Sequence, residues 1–253
     1  MSAGLELSGV TKRYGGLVAV SDLTLAVAEG SVHGLIGPNG AGKSTAIGLI
    51  AGFVRADSGS ITFGGRDLGR LRPDEIARLG VSRTFQRAAP LAGLTVFENV
   101  LVGMHTRFRA NLVSVVLRSP AARVEARELE RSVAALLDAF GLAAQADADA
   151  RNLTFGQLRF LEIARAAAMR PRILLLDEPA AGLNDGERAR LAALIRDLRD
   201  RGIGVLLVDH DVPFVFGLCD RMTVMNFGSV IAAGDPDVVH RDAAVRDAYL
   251  GGG

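Results

Sequence analysis

The chain of 253 residues has a single cysteine, Cys219, so no internal disulfide can hold it together. One thiol beside an apolar stretch, Phe214 to Leu218, suits a reducing compartment and reads as a small buried hydrophobe. No uncharged apolar run reaches the roughly 18 residues of a membrane helix. Ala88 to Phe97 is too short and carries Pro90 and Gly93. Met1 to Val10 lacks the basic-then-apolar pattern of a secretory signal, and the expectation is a cytoplasmic, non-spanning protein. Internal repeats and low-complexity linkers are missing too, which argues against solenoids and tethered domains. Charge of one sign is also lacking. Lys and Arg total 29 against 28 acidic residues, a net charge of +1, so nucleic acid is not an expected partner. Only Lys12 and Lys43 are lysines, which makes the placement of each informative.

What is present is ordinary globular material, 49% hydrophobic and 23% charged. A chain of this length can bury roughly three quarters of its unfolded surface. Strand-like runs at Leu5 to Val10 and Leu23 to Val27 open the sequence, and Val32 to Ile36 has the pattern of a buried strand ending in glycines. A helix is predicted from Lys43 to Ala51, and a strand at Ser60 to Phe63 between Gly59 and Gly64. From about 87 to 170 the pattern is helical with no clear strand. There Leu129, Val133, Leu136, Leu137 and Phe140 share one helix face, and Gly141 is placed to end it. After Pro171 strand and helix alternate: Ile173 to Leu176, Gly186 to Arg201, Ile203 to Val208, then Met222 to Met225. Leu191, Leu194, Ile195 and Leu198 line one face of the helix in that series. The expectation is one α/β domain over 1–253 with an N-terminal antiparallel β portion, a helical subdomain inserted at about 87–170, and a helical tail at about 235–253. Ala110 to Leu117, apolar between Arg109 and Arg118, fits either a core element or a docking surface.

Gly37-Pro38-Asn39-Gly40-Ala41-Gly42-Lys43-Ser44 matches G-x-x-x-x-G-K-[ST], directly after a buried strand and at the start of a helix. In that context glycines let the backbone wrap inward so that N–H groups and the helix N-terminus cradle phosphate oxygens. Lys43 then reaches the terminal phosphate, Ser44 can ligate Mg²⁺, and Thr45 can assist. The strand Ile173 to Leu176 ends in Asp177-Glu178. An apolar parallel strand ending in a carboxylate puts that group beside the phosphate loop. Asp177 can hold Mg²⁺ through water, and Glu178 is placed to act as general base on an attacking water. In Leu153-Thr154-Phe155-Gly156-Gln157, Thr154 and Gln157 form a T-x-x-Q capping box for the helical run Leu158 to Met169, with Leu158, Leu161, Ala164 and Ala168 on its buried face. A capped helix start also presents N–H groups to an anion, so this motif alone does not separate a structural from a binding role.

Together and in this order, the pieces resemble the ATP-binding subunits of ABC transporters over nearly the whole chain. Gly37 to Thr45 resembles Walker A, Gln86 in Thr84-Phe85-Gln86 the Q-loop, Leu153 to Gln157 the signature loop, and Leu174 to Glu178 Walker B. Ala181-Gly182-Leu183-Asn184 resembles the D-loop and His210 the switch histidine. Tyr14 stands where the family stacks an aromatic ring on adenine. The resemblance implies a P-loop core of ABC-ATPase type and a head-to-tail dimer sandwiching two ATP, with each phosphate loop facing the other chain's signature helix. It further implies contacts from Thr154, Gly156, Gln157 and Asn184 to nucleotide, from Gln86 to Mg²⁺ or water, and from His210 to the γ-phosphate. His33, His105 and His240 have no such context and are expected to be structural or solvated.

Two departures narrow the resemblance. The signature loop is commonly Leu-Ser-Gly-Gly-Gln, and here Thr154 keeps the hydroxyl while Phe155 replaces a glycine. Asn184 replaces the usual D-loop Asp and starts an Asn-x-x-Glu cap with Glu187. Both look like the ATPase subunits of branched-chain amino-acid importers, as do Arg83-Thr84-Phe85-Gln86 and the closing Asp247-Ala248-Tyr249-Leu250-Gly251. That subgroup implies a heterodimer with a second ATPase subunit at the cytoplasmic face of the plasma membrane, bound to two membrane-spanning permease subunits and served by an extracytoplasmic solute-binding protein. The alternatives are a urea, amide or other hydrophobic amino-acid importer, a lipopolysaccharide-export ATPase, and a non-transport ATPase. Against the last, no sustained heptads separate Lys43 from Gly156. A nucleotide-binding regulator without turnover would be expected to lack Glu178 or His210.

Overall fold

The computed structural model describes residues 4–84, 90–104 and 120–250. In chain order the elements are β1 (Leu5–Tyr14), β2 (Leu17–Val27), β3 (Val32–Ile36), α1 (Lys43–Ile50), β4 (Ser58–Phe63), β5 (Arg66–Asp67), α2 (Pro73–Leu79) and β6 (Val81–Arg83). Then come α3 (Val96–Gly103), α4 (Pro120–Ala139), α5 (Phe155–Ala168), β7 (Ile173–Asp177), α6 (Asp185–Asp200), β8 (Gly204–Val208) and α7 (Val212–Phe216). Last are β9 (Arg221–Asn226), β10 (Ser229–Gly234), α8 (Pro236–Arg241) and α9 (Ala243–Leu250). They form two compact units, Met1–Arg83 with Arg172–Gly253, and Thr84–Pro171.

The first unit holds two sheets. The antiparallel sheet runs β2-β1-β4-β5, and alternate residues Leu5, Leu7, Leu23, Leu25, Ile61 and Phe63 turn inward to join Ile47 and Ile50 of α1 in one core cluster. Their burial removes apolar surface from water at about 25 cal/mol per Å², which drives the layer together. The second sheet, ordered β10-β9-β3-β8-β7-β6, is parallel except for β10. Strands β3, β7 and β8 are buried along their whole length, as expected of parallel strands covered on both faces. Register aligns their ends: Leu35 and Asp177 both pair with Val208 of the central strand β8. Gly37, Glu178 and Asp209 therefore leave the sheet along one edge.

The strands at both ends of the first unit extend beyond the pattern in the sequence. β1 and β2 form one long hairpin in which Tyr14 pairs with Leu17 across Gly15-Gly16. Bulges interrupt its register, which breaks the alternation that makes a strand legible. Helix α6 starts at an Asn184–Glu187 capping box and buries Leu191, Leu194, Ile195 and Leu198.

In the second unit Leu129, Val133, Leu137 and Phe140 are buried on one face of α4 and its end, with Leu136 half-buried. Gly141 follows that helix, and the Leu142 N–H donates to Leu137 O. Helix α5 differs from the single apolar face read in the sequence. It buries Arg159, Phe160, Glu162 and Ile163 besides Leu161, Ala164 and Ala168, while Leu158 is half-buried. The Arg159 guanidinium and the Glu162 carboxylate sit 3.0 Å apart, so each charge is compensated where it is buried.

Cys219 is buried, its Sγ packs against Gly34, and burial pushes its thiol pKa up to about 12, so it is an unreactive core residue at neutral pH. His33 on β3 is also buried, with Nε2 hydrogen-bonded to the Thr223 hydroxyl at 2.9 Å. Burial lowers its pKa from 6.5 to about 4; a backbone hydrogen bond to Ala26 opposes the shift and Arg221 adds to it. Between those values the unfolded chain binds the proton and the native chain does not. The His33 contribution to stability is therefore complete above pH 6.5 and falls as the pH drops to about 4, by about 3 kcal/mol. Urea unfolding between pH 7 and 4 should show this slope, and His33→Leu should flatten it.

Candidate functional site

The phosphate loop joins β3 to α1, and close backbone packing sets its shape. A Cβ on Gly37, at φ 153°, would come within 2.1 Å of Met225 O, and one on Gly42, at φ 104°, within 2.4 Å of Ala19 O. Neither position accepts a side chain. The loop closes around Lys43, whose Nζ donates to Gly37 O at 2.6 Å and Pro38 O at 2.9 Å. Burial lowers the Lys43 pKa, while the nearby carboxylates of Glu178, Asp177 and Asp209 pull it back up. The sheet edge thus gathers one buried cation and three acidic groups.

Lys43 and Glu178 border a cavity of about 360 Å³ that is lined further by the rest of Asn39 to Thr45 and, among apolar and aromatic residues, by Tyr14, Leu17, Val18, Ala19 and Phe227. Glu178 sits at φ 49°, a left-handed conformation uncommon for a side-chain-bearing residue. Its N–H donates to Val208 O at 2.7 Å. The backbone turn brings Glu178 to the cavity wall, while the preceding Asp177 stays buried. Asp177 Oδ2 pairs with Arg83 at the end of β6, 3.1 Å away. Burial raises the Asp177 pKa, and the Arg83 charge and hydrogen bond oppose that rise most.

The other residues singled out in the sequence fall in different places. His210 follows β8 at the same edge, is exposed, and is not among the residues lining the cavity. Asp209, fully buried, organises its surroundings: Oδ2 accepts from the Ala180 N–H, and Oδ1 accepts from the N–H groups of His210 and Asp211. One carboxylate therefore ties the segment before Asn184 to the histidine. Asn184 is exposed, and its side chain caps α6 through the Glu187 N–H. Thr154, Gly156 and Gln157 belong to the other unit, where Thr154 and Gln157 complete the reciprocal cap of α5. Beside them Phe155 is 53% exposed, with Arg159 lying 5.8 Å from its ring centre. Gln86, His105 and the stretch Ala110 to Leu117 lie outside the described residues.

A buried lysine inside a glycine loop at a helix start, opposite a carboxylate in a left-handed turn, can hold a polyphosphate and keep a base beside it. The comparisons with known proteins agree. The family described as ABC transporter matches residues 20–181. The chain belongs to the ABC transporter family. It is 42% identical to the high-affinity branched-chain amino acid transport ATP-binding protein LivG of Salmonella typhimurium, over 98% of this chain and 97% of the relative. BraF of Pseudomonas aeruginosa, with the same description, is 42% identical over the same shares. The lipopolysaccharide export system ATP-binding protein LptB of Acidithiobacillus ferridurans is 39% identical over 99% and 98%. Among solved structures, the ADP conformation of an ATP-binding cassette of an ABC transporter superposes with a TM-score of 0.85 at 30% identity, covering 99% of this chain and 100% of the other. The fold is that of an ABC ATPase cassette.

Within that family frame, the roles of three residues escaped sequence reasoning. Arg83 and Asp209 act through contacts made only after folding. Phe227 carried no recognisable motif, although Asn226-Phe227-Gly228 is a turn-like tripeptide.

Proposed function

We propose that this chain is the ATP-binding and hydrolysing subunit of an importer for branched-chain or other hydrophobic amino acids. The observation that carries the proposal is the cavity shared by the phosphate loop and Glu178, and the LivG and BraF likeness supports the transport class. Identity of 42% to LivG and BraF against 39% to LptB supports this reading over lipopolysaccharide export.

In this reading Tyr14 stacks on adenine, and Gly37, Pro38, Asn39, Gly40, Ala41 and Gly42 offer backbone to the phosphates. Lys43 neutralises the β- and γ-oxygens, and Ser44 and Thr45 hold the phosphate end. The hard oxygen donors of Ser44, Asp177 and Gln86 suit Mg²⁺, which would shield phosphate charge when bound. Among the described residues no group of three acidic, histidine or cysteine side chains could hold a metal alone, and this ion ordinarily keeps water and phosphate oxygens as ligands. Glu178 takes the proton of the attacking water, and His210 contacts the γ-phosphate.

Thr154, Gly156, Gln157 and Asn184 serve the site of a second ATPase subunit. Phe155 motivates a heterodimer, because in a homodimer both composite sites would carry its ring in the signature loop. Two permease subunits and an extracytoplasmic solute-binding protein complete the assembly. Among the described residues no helix is long and apolar enough to cross a membrane, and we place the chain peripherally on the cytoplasmic face. Sedimentation of Glu178→Gln with ATP should give mainly monomer for the chain alone, and co-purified permeases should carry one copy of it. A stable ATP-dependent homodimer, with two copies per complex, would rule the heterodimer out.

A further inference from the structure

The turn between β9 and β10 consists of Phe227 at φ 45° and Gly228 at φ 83°. Two consecutive left-handed residues make a tight hairpin turn in which Asn, Asp or Gly is the usual first residue. Phenylalanine there strains the backbone. The residue is also 87% exposed, the largest exposure among the described large apolar residues. Neither feature helps the fold.

The position of the turn is fixed. Ser21 N–H donates to Gly228 O at 2.7 Å, and Gly228 N–H donates to Ala41 O at 3.0 Å. The hairpin tip is thereby bound to β2 on one side and to the phosphate loop on the other. From there Phe227 borders the same cavity as Tyr14, which is 50% exposed at the tip of the β1–β2 hairpin. Leu17 and Val18 line the cavity with these two residues, as do Asn39 to Thr45.

We propose that Phe227 is a second aromatic binding residue for the nucleotide base, packing on a purine ring in addition to Tyr14. A base offers two apolar faces, and ring stacking is the interaction an exposed aromatic at a rigid turn is suited to make. The burial and stacking lacking in the chain alone are supplied by the ligand, which accounts for an exposed phenylalanine at a position suited to asparagine. The inference rests on the nucleotide reading of this cavity.

The test is calorimetry of the full chain with ATP and with inorganic tripolyphosphate, for wild type, Phe227→Asn and Phe227→Tyr. Asparagine suits the left-handed turn, so Phe227→Asn should melt no lower than wild type. Its ATP affinity should fall about five- to tenfold, the effect of losing one base–aromatic stack. Tripolyphosphate affinity should stay unchanged, and Phe227→Tyr should keep ATP affinity. ATP affinity of Phe227→Asn within twofold of wild type would overturn the inference, as would an equal loss for ATP and tripolyphosphate. Wild type binding neither ligand would instead overturn the nucleotide reading itself.

Discussion

Lys43→Ala is expected to remove measurable nucleotide binding while leaving the chain folded. The lysine is the cation enclosed by the loop, and its Nζ now donates to Gly37 O and Pro38 O. Both acceptors are backbone carbonyls, so a bound polyphosphate can take over the ammonium without breaking a salt bridge. A charge-assisted contact of this kind contributes up to about 3 kcal/mol, on the order of a hundredfold in Kd. The loss should be larger than that single contact. Glu178, Asp177 and Asp209 all bear on Lys43, and without it their negative charge near the phosphates is no longer offset by the loop's own cation. Calorimetry with ATP is the check, with a thermal melt to show that the variant is folded. Unchanged affinity would remove the phosphate-loop assignment.

Glu178→Gln should have the opposite profile, with ATP bound and turnover stopped. The amide keeps the shape of the side chain and loses the basic oxygen that takes a proton from water. Removing a general base costs on the order of a hundred- to ten-thousandfold in rate. Glu178 is held at φ 49° by its own N–H bond to Val208 O, and neither feature depends on the carboxylate. Asp177 provides the contrast. It is buried and paired with the half-buried Arg83 at 3.1 Å, so removing it would break that ion pair and confound stability with catalysis. Steady-state phosphate release by the assembled transporter measures the difference.

The sequence was most legible where local pattern and tertiary role coincide. The phosphate loop carries its own glycines and lysine, β7 is an apolar run ending in Asp177, and α6 shows its cap and apolar face without knowledge of what it packs on. Elements shorter than a pattern were lost. β6 is three residues, Val81–Arg83, and β5 is two, and neither length can display a period. β10 reads Ser229–Gly234, an edge strand with no fully buried residue to mark an inner face, and the turn before it replaces the usual Asn-Gly signal with Phe227-Gly228. Helix α2 did have a signal, Pro73 at its first turn with Glu75 bonding back to the Arg72 N–H, but only Ile76 of its residues is buried.

Within the site, the missed residues are those whose role is a contact between distant segments. Arg83 meets Asp177 only because β6 and β7 are neighbours in the sheet. Asp209 reads in the sequence as one acid among several beside His210, yet its buried carboxylate binds three N–H groups from two segments. No periodicity encodes such a junction. Tyr14 was found by its resemblance to the family, while the long hairpin that carries it to the cavity was foreshortened because bulges scramble its alternation. In the proposed dimer the effect of Phe155 on the signature loop depends on what faces it, which makes copy number the discriminating observation.

The most direct test of the central claim, that this chain binds ATP in the phosphate-loop cavity and hydrolyses it with Glu178, follows the chemical form of bound nucleotide. The co-purified transporter is incubated with labelled ATP and Mg²⁺, separated rapidly from unbound nucleotide, and quenched. Wild type should release labelled phosphate and retain ADP, whereas a complex carrying Glu178→Gln should retain intact ATP at comparable occupancy. Phosphate release by that variant at the wild-type rate, or no retained nucleotide in either preparation, would contradict the account.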